Sequence, residues 1–377
     1  TPAAIRAAVA EIGYPVLVRP SYVLGGRGME ILTDDAQLET YMSDAYIAPD
    51  KPLLVDEYLG GAIELDVDAV CDGEDVLVGA VMEHLEEAGI HSGDSTCFIP
   101  TQNVSEDILA KVHEWTKEIG LGLNIRGCFN IQFCICRGEL YVLEVNPRGS
   151  RTFPFVAKAT GIPLARIAAH ITIGEQLANM EIPRRQTDAV CVKAPVFPFL
   201  KLRGLDPAPG PEMKSTGEVM GSHVDPAAAY LKARLATELP VPTQGGVYLT
   251  VKDEDKENLI PMAKSLHDMG FKLHATKGTA RFLRDEGGLD VETCYRIAEN
   301  HSPDALDLMR TGKIQLIINT PRNSGGAVLD GNMMRRLAVE LNIPFVTTMS
   351  GARMECEAIR VAQDGMPEPR RLIVDYV

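Results

Sequence analysis

Hydrophobic and polar residues alternate along two neighbouring segments near the middle of the chain. The first segment covers residues 128–136 and the second covers 140–146, and in both the period is two, as in a strand with one face buried. Arg137, Gly138 and Glu139 lie between them. The pattern therefore predicts a β-hairpin, with Gly138 at the centre of a three-residue loop.

This register groups polar side chains on one face of the hairpin. With a three-residue loop, Gln132 lies opposite Glu144, and Asn130 lies opposite Asn146. Directly opposed side chains are roughly 4.5–5.5 Å apart at Cβ, and oxygen ligands grouped in this way suit a hard cation such as Mg²⁺. The alternative is a hairpin whose polar face is simply solvated, and the hairpin alone does not decide between the two.

Two arginines follow the second arm directly. Arg148 and Arg151 come shortly after Asn146, so their guanidinium groups would stand beside the cation. A metal, carboxamides, a carboxylate and paired arginines together suit phosphoryl transfer to a small anion.

The residues before the hairpin predict mainly strands. We expect helices over 1–12 and 105–119 and strands over 15–19, 30–32, 53–59, 64–71 and 75–83. The glycine-rich stretch 20–29 would form a flap whose backbone N–H groups approach phosphate oxygens, although a plain hairpin turn is the more frequent explanation of such a sequence. No complete nucleotide-binding unit precedes the strand at 15–19, which suggests a fragment of something longer.

Residues 83–94 predict a polar loop that lines a nucleotide or substrate pocket. This stretch carries two histidines and four carboxylates. A zinc site is the alternative, but the spacing matches no standard motif.

The pattern changes in the second half of the chain. Residues 182–215 are rich in proline and glycine and predict a connecting region rather than a folded core; a short helix is expected over 226–235, and 240–246 is the best domain boundary. Beyond it strands alternate with helices, the strands at 247–251, 271–275, 314–319 and 343–346 and the helices at 256–269, 291–298, 332–341 and 352–363. This alternation predicts a small doubly wound parallel sheet.

Ligands on such a sheet bind beyond the carboxyl ends of the strands. Hydroxyls, a glycine and lysines gather at these ends, and together they suit a phosphate. The residues are Thr250, Lys256, Thr276, Lys277, Gly278, Thr279, Asn319 and Thr320. Helix capping is the more frequent explanation of any single threonine, but a set on several strand ends is harder to explain that way.

Composition narrows the classes of function. The 377 residues predict two or three domains, and 45% apolar residues are enough for real cores. The net charge of −15 argues against nucleic acid as the main partner, and no apolar run is long enough to cross a bilayer. The eight cysteines lack metal-ligand spacing, so a reduced cytoplasmic protein is the simplest interpretation.

Three long motifs carry a resemblance to a known family. They read Val18-Arg-Pro-Ser-Tyr-Val-Leu-Gly-Gly-Arg27, Glu83-His-Leu-Glu-Glu-Ala-Gly-Ile-His-Ser-Gly-Asp94 and Leu143-Glu-Val-Asn-Pro-Arg-Gly-Ser-Arg-Thr152. Together with residues 211–221, they resemble the large subunit of carbamoyl phosphate synthetase, and the carbamoyl-phosphate-forming half matches best. The tail resembles that subunit's regulatory domain, of the methylglyoxal-synthase-like type.

The resemblance covers almost the whole chain and implies its organisation. It implies an α/β and α+β multidomain protein, with a partial ATP-grasp unit at residues 1–190 that lacks its leading subdomain. A connecting region at 191–240 and a small doubly wound parallel α/β regulatory domain at 241–377 would follow.

The implied reaction is carbamate plus ATP giving carbamoyl phosphate plus ADP, a step of pyrimidine and arginine biosynthesis. Gln132, Glu144 and Asn146 would ligate Mg²⁺ or Mn²⁺, and K⁺ is a further candidate ion. Arg148 and Arg151 would act in catalysis together with Asn146, because guanidinium groups orient carbamate and steady the charge on the transferred phosphoryl group.

The resemblance also assigns contacts with nucleotides and with partners. ATP would be contacted by Gln132, Glu144, Arg19, Glu57, Leu59, Glu64, Gly89, Ile90, His91 and Ser92. The regulatory domain would bind a nucleoside monophosphate, with Arg296 near the phosphate residues, although Asn319-Thr320-Pro321 departs from the family's Asn-Thr-Thr turn and puts the identity of the effector in doubt. The implied partners are a glutaminase small subunit and the rest of the large subunit.

Two rival functions stay open. One is another ATP-grasp carboxylate–amine ligase, against which the Arg-Pro-Ser-Tyr flap and the regulatory tail argue. The other is a non-catalytic effector-binding fragment, against which the intact Glu144 and Asn146 argue. Because the leading subdomain is absent, we expect the chain to be inactive by itself.

Overall fold

The computed structural model of the protein describes residues 1–21, 28–43, 52–183, 188–199, 206–320 and 326–367. In these ranges the helices are α1 Pro2–Ile12, α2 Asp35–Ser43, α3 Glu106–Gly122, α4 Phe153–Thr160, α5 Leu164–Thr172, α6 Pro226–Ala236, α7 Lys256–Asp268, α8 Lys277–Asp285, α9 Ala305–Arg310, α10 Gly326–Glu340 and α11 Met349–Asp364. Short 3₁₀ turns lie at Ser92–Asp94, Leu177–Asn179, Asp253–Asp255 and Ile297–Glu299. Most of the predicted glycine-rich flap, residues 22–27, lies outside the described residues.

The strands form three sheets. They are β1 Val16–Pro20, β2 Glu30–Leu32, β3 Leu53–Glu57, β4 Ile63–Cys71, β5 Val76–Glu87, β6 Cys97–Ile99, β7 Gly127–Cys136, β8 Glu139–Asn146, β9 Val190–Val196, β10 Gly217–His223, β11 Gly246–Thr250, β12 Lys272–Thr276, β13 Val291–Cys294, β14 Leu316–Asn319 and β15 Phe345–Val346. No helix in the described ranges is long and apolar enough to span a membrane.

A small antiparallel sheet lies at the start of the chain. Its order is β2-β1-β3. Val16 and Val18 are fully buried and pack against Ile5 and Val9 of α1, as the apolar period of both elements predicts.

The central sheet has seven antiparallel strands in the order β10-β9-β6-β5-β4-β7-β8. Helix α3 covers one face, with Val112 against Phe129 and Phe133. Helices α4 and α5 cover the other face around Val156 and Ile167. With both faces covered, the middle strands bury their apolar and polar residues alike.

Strand β9 corrects the expectation of few regular elements over residues 182–215. Residues 190–196 pair with β6 and β10 inside the central sheet, and Val190, Val192 and Ala194 are buried against α6. Their short apolar alternation outweighs the surrounding prolines and glycines, which dominate the composition of the stretch. The limits of the three domains stay predictions.

The predicted pairing of β7 with β8 is confirmed. Asn130 pairs with Asn146, and Gln132 pairs with Glu144. The loop has a different length, however, because the ladder ends in a two-residue turn at Arg137-Gly138 with φ of 53° and 84°, as in a type I′ hairpin. One extra residue on β8, next to the Gln132 pair, then restores the predicted register.

Two further element predictions are wrong. The polar stretch 83–87 belongs to β5 instead of a loop, because its buried Glu83 accepts hydrogen bonds from the N–H groups of Gln102 and Asn103. Residues 291–298, expected as a helix, form β13 and a 3₁₀ turn, because Val291 and its neighbours pair in parallel with β12.

The predicted doubly wound parallel sheet is confirmed in the C-terminal domain. Its order is β13-β12-β11-β14-β15, with every pair parallel. Helices α7, α8 and α11 pack on one face, and α9 and α10 pack on the other. The strand order reverses between β11 and β14, which is where such sheets bind ligands.

The two main sheets are joined through α6 and α11. These helices pack together and against β9. The hydroxyl of Tyr230 donates to Glu355 Oε2 over 2.8 Å, and Arg234 Nε lies 3.2 Å from the same oxygen. All three side chains are buried or nearly so, which fixes the C-terminal domain against the central sheet.

Candidate functional site

Two rows of polar side chains cross three adjacent strands of the central sheet. The rows, from β8 through β7 to β4, are Glu144–Gln132–Asp66 and Asn146–Asn130–Asp68. Opposed side chains on neighbouring strands are within reach of each other. The face predicted from the hairpin therefore extends onto the carboxylates of β4.

The second row is held by a buried hydrogen-bond network. Asn130 Nδ2 donates to Asp66 Oδ1 over 2.6 Å and to Asp68 Oδ1 over 3.0 Å. Asp68 also accepts from Ser150 Oγ and Thr152 Oγ1, each over 2.6 Å. Burial and repulsion by Asp66 raise the pKa of Asp68 to about 7, although these hydrogen bonds lower it. The network fixes the floor of the site and the chain that carries the arginines.

The three predicted metal ligands lie together. Asn146 Nδ2 donates to Glu144 Oε1 over 2.7 Å, and Gln132 Nε2 donates to Ser92 Oγ over 2.9 Å. Arg148 Nη2 lies 3.3 Å from Asn146 Oδ1. Because both amide nitrogens donate within the protein, oxygen atoms are what remains for a cation.

This donor set fits magnesium better than zinc. Mg²⁺ is usually bound by one or two carboxylates together with phosphate oxygens and water, and the site offers one carboxylate and two amides. Among the described residues, no three His, Cys, Asp or Glu side chains lie where they could hold a metal ion. The zinc alternative for residues 83–94 therefore has no support there.

Glu64 and His84 are buried neighbours beside the first row. His84 Nδ1 lies 3.7 Å from Glu64 Oε1, and His84 Nε2 lies 3.9 Å from Asp66 Oδ2. Burial raises the pKa of Glu64 to about 7; His84 lowers it, while Asp66 and Glu144 raise it further. A backbone hydrogen bond from Gly89 connects Glu64 to the predicted nucleotide turn.

The predicted nucleotide turn continues from the end of β5. Ile90 and Ser92 are half-buried, and His91 Nδ1 accepts from the N–H of Gly93 over 3.0 Å. Burial lowers the pKa of His91, which favours the neutral ring. The hydrogen bond from Gln132 to Ser92 connects this turn to the predicted metal ligands.

The other predicted nucleotide residues lie further out. Leu59 packs against a small apolar cluster at the end of β7 that includes Cys134. Arg19 and Glu57 belong to the small N-terminal sheet, where Arg19 Nε lies 3.6 Å from Asp56 Oδ2. Glu57 Oε1 is 3.3 Å from Arg137 Nη1 in the hairpin turn. Within the ranges that the structure describes, Arg19 has no contact with the central sheet.

Arg151 is held by residues of the stretch 211–221, which carries part of the family resemblance but to which the sequence assigned no site role. Its Nη1 lies 2.8 Å from Met213 Sδ and 3.5 Å from the carbonyl oxygen of Ser215. Lys193 is fully buried and donates to the carbonyl of Ser92 over 2.9 Å. The sequence did not predict these contacts, because they depend on how β9 and residues 206–215 fold back over the site.

A second site lies in the C-terminal domain, where a cavity of about 370 Å³ opens at the carboxyl ends of β11, β12 and β14. The nine residues predicted for an effector all line it: Thr250, Lys256, Thr276, Lys277, Gly278, Thr279, Arg296, Asn319 and Thr320. Thr276 is the N-cap of α8, so Lys277, Gly278 and Thr279 form its first turn. Backbone N–H groups at a helix N-terminus bind anions, which suits a phosphate.

Acidic residues and a buried arginine complete the cavity. Arg335 is 3% exposed at its side chain and forms a two-bond pair with Asp206, Nε to Oδ1 over 2.9 Å and Nη2 to Oδ2 over 2.6 Å. Arg296 Nε lies 3.8 Å from Asp330 Oδ2, and Lys256 Nζ lies 2.7 Å from Asp253 Oδ1. The sequence did not point to Arg335 or Asp206, since neither stands at a strand end.

Comparison with known proteins identifies both halves. Residues 2–180 match the family described as carbamoyl-phosphate synthase L chain, ATP binding domain, and residues 258–347 match the MGS-like domain. The chain is 48% identical over 355 residues to the carbamoyl phosphate synthase large chain of Methanoculleus marisnigri, covering 94% of this chain and 33% of that one. The chain belongs to the carbamoyl phosphate synthase large-chain family.

A second relative of this synthase family is itself a section. The carbamoyl phosphate synthase large chain, C-terminal section, of Methanocaldococcus jannaschii is 46% identical over 367 residues, covering 94% of this chain and 59% of that one. The chain spans about a third of the length of the longer curated relatives it matches. Among solved structures, N5-carboxyaminoimidazole synthase from Aspergillus clavatus is 14% identical with a TM-score of 0.49, over 63% of this chain and 65% of that chain; likeness at that level says nothing about chemistry.

Family membership confirms the resemblance, the ATP-grasp fold and the methylglyoxal-synthase-like type of the C-terminal domain. The roles of the individual synthase residues stay predictions, because family matches over whole domains do not test them.

Proposed function

We propose that the ATP-grasp part of this chain transfers the γ-phosphoryl group of ATP to carbamate. A carbamate oxygen forms a bond to the γ-phosphorus as the bond from that phosphorus to the β–γ bridging oxygen breaks, and ADP leaves. The observation that carries the proposal is one sheet face on which Gln132, Glu144 and Asn146 lie with Arg148 beside them, and Arg151 follows three residues later in the chain. The cytoplasm is the proposed location, because the cysteine usage of the chain suits a reducing compartment.

The residues act by positioning and charge. A magnesium ion held by Gln132, Glu144 and Asn146 would neutralise phosphate oxygens when bound. Arg148 and Arg151 carry planar, permanently charged groups that hold an anion by two parallel hydrogen bonds. No side chain has to form a covalent intermediate, so fixed geometry supplies most of the catalysis.

The nucleotide would lie along the turn after β5. Glu64 would accept hydrogen bonds from ribose hydroxyls, and the apolar cluster that Leu59 packs against would line the adenine site. Arg19 would meet the phosphates only if the small N-terminal sheet approaches the face.

The test is the back-reaction, in which carbamoyl phosphate and ADP give ATP and carbamate. It should be run on this chain joined to the rest of the large subunit, because we expect the chain alone to be inactive. Arg151→Lys keeps the charge but loses the planar fork, so we expect a loss of about 100-fold in kcat. Arg126→Lys, on the exposed surface, is the matched control.

Two results would contradict this function. One is an Arg151→Lys enzyme as fast as the control. The other is ADP release that depends on a carboxylate and an amine in place of carbamate, which would favour the rival ligase. The remaining large-subunit part is the proposed source of carbamate, in keeping with the greater length of the relatives, and a glutaminase small subunit is the proposed source of ammonia.

We propose further that the C-terminal cavity binds a nucleoside monophosphate, with UMP and IMP as the first candidates. The support is the set of nine predicted residues around one cavity and the N-terminus of α8 at its edge. Titration calorimetry with both nucleotides tests it, and no heat of binding at millimolar concentration would refute it.

A further inference from the structure

We propose that residues 206–215, called here the linking segment, couple the regulatory cavity to the phosphoryl-transfer face, with the Arg335–Asp206 pair at one end and Arg151 at the other. The inference rests on the functions proposed for these two sites and adds the physical connection between them. Four groups of contacts carry it.

The first contacts attach the segment to the cavity. Arg335 lines the cavity and is nearly inaccessible to solvent, and its guanidinium holds both carboxylate oxygens of Asp206. Its remaining terminal nitrogen donates to Asn319 Oδ1 over 2.6 Å, and Asn319 Nδ2 lies 3.3 Å from the carbonyl oxygen of Thr250. The guanidinium of Arg335 therefore connects Asn319, and through it Thr250, to the linking segment. Its two parallel bonds to Asp206 fix a geometry that tolerates little displacement.

The second contacts make the segment a unit. The N–H of Ala208 donates to Asp206 Oδ1 over 3.0 Å. Lys214 Nζ donates to the carbonyl of Asp206 over 3.1 Å and also to the carbonyl of Ala208. A single ammonium group thus ties the far end of the segment to its beginning, so a shift at Asp206 is transmitted to Lys214.

The third contacts attach the segment to the turn that follows β5. Asp94 is 1% exposed and accepts from the backbone N–H groups of Lys214 and Ser215 over 2.8 and 2.9 Å. The carbonyl of Gly210 accepts from the N–H of His91 over 2.9 Å. The predicted nucleotide turn is therefore bonded to the segment at two points.

The fourth contacts reach the catalytic arginine. Arg151 Nη1 contacts Met213 Sδ and the carbonyl oxygen of Ser215. The direction of this guanidinium thus depends on where the segment lies, and Asp206 and Arg335 act as positioning residues at a distance.

The coupling originates in competition for the guanidinium of Arg335. An anionic ligand in the cavity competes with Asp206 for the guanidinium of Arg335, so its affinity differs between the paired and the displaced segment. Only such a difference lets a ligand shift an equilibrium. The effect must be reciprocal, and couplings of this kind typically change affinity by about 5- to 150-fold.

The experiment measures the affinity of the chain for UMP and for IMP by titration calorimetry, without and with saturating Mg·ADP. In the unaltered protein we expect at least a fivefold difference for the nucleotide that binds. In Asp206→Asn the affinity for the nucleotide by itself should rise, because the carboxylate no longer competes for Arg335, and the affinities with and without Mg·ADP should agree within twofold. Lys214→Met, which alters neither cavity nor catalytic face directly, should show the same agreement and covers the case in which Asp206→Asn fails to fold.

Ser350→Ala is the matched control. Ser350 Oγ donates to the carbonyl of Leu85 and also joins the two domains, but not through the linking segment, so this variant should keep the fivefold difference. Amide hydrogen exchange adds a direct readout, because ligand in the cavity should alter protection at residues 91–95 and 210–215 in the control and not in Lys214→Met.

Each contrary result has its own meaning. Full coupling in both Asp206→Asn and Lys214→Met, or its loss in Ser350→Ala, would overturn the linking segment as the path. Binding of a nucleotide with no effect of Mg·ADP in the unaltered protein would overturn the coupling alone. Absence of nucleotide binding would overturn the function proposed for the cavity and this inference with it.

Discussion

Replacement of Glu64 by glutamine should stabilise the protein, and the gain should be larger in mildly alkaline than in acidic solution. Glu64 is 3% exposed, and burial together with Asp66 and Glu144 raises its pKa to about 7, above the ordinary value of 4.5, although His84 lowers it. The folded protein then holds a proton that the unfolded chain releases. Stability is therefore lost as the pH rises from about 4.5 to about 7.

The magnitude follows from the displacement of the pKa. The difference between 7 and 4.5 is 2.5, which at about 1.4 kcal/mol each gives a full penalty of about 3 kcal/mol. Between pH 5.5 and pH 8 the part of that penalty that develops is about 2 kcal/mol. Glutamine has the shape of glutamate without the titration, so the difference between the two proteins should grow by this amount over that interval.

The fluorescence of Trp115 supplies the assay. It is the one tryptophan of the sequence, and it lies on α3 with its ring centroid 6.5 Å from that of Phe133 in β7. Its signal therefore reports unfolding of the sheet that holds Glu64. Urea unfolding at pH 5.5 and pH 8 gives the two free energies for each protein.

Glu118→Gln is the control, because Glu118 lies exposed on the same helix as the fluorophore. Its effect on the free energy of unfolding should be equal at both pH values. Asp68, whose pKa is also about 7, is present in all the proteins and cancels from the comparison. A Glu64→Gln difference that is constant with pH, or that grows towards acid, would refute the reasoning.

Three other predictions follow from the contacts at the two sites. Glu144→Gln should lower the affinity for Mg·ADP by at least tenfold in calorimetry with an unchanged circular dichroism spectrum; equal affinity would remove Glu144 from the metal site. Lys277→Gln should weaken nucleotide binding to the cavity by about tenfold and reduce its salt dependence, whereas Lys272→Gln, exposed at the start of β12, should leave both unchanged. Asn130→Ala should cost about 1–3 kcal/mol in urea unfolding, because it removes the amide that donates to Asp66 and Asp68; a neutral effect would show that another donor replaces it.

The elements that the sequence predicted well are those in which apolar residues carry a clear period. Strands β4, β7 and β11 are of this kind, and each has buried apolar residues that alternate or run continuously. The end of β5 was missed because its residues are polar, and they stay in the sheet only since Glu83 finds donors in a distant loop. A local pattern contains no information about such a partner.

Not all residues of the C-terminal cavity could be predicted from the sequence. Eight of the nine predicted cavity residues were found by one general rule, that parallel sheets bind ligands beyond their strand ends, and Arg296 came from the family resemblance. All nine line one cavity, although their roles stay predictions. Arg335 and Asp206 could not be found in this way. They are 129 residues apart in the chain, and their meeting depends on how α10 packs over a stretch that reads as a plain connection.

The hairpin shows why a register can be more predictable than a turn. The predicted loop had three residues, the actual turn has two, and a bulge on β8 supplies the missing residue, so Gln132 still faces Glu144. Because side chains alternate with a period of two, a slip of one residue would move the whole polar row of β8 to the opposite face. Pairing is therefore constrained by what each face must contact, here Asp66 and Asp68 on the neighbouring β4, whereas turn length and bulge position can vary together. The alternation of polar residues was thus the informative signal, and the turn was one of several ways to satisfy it.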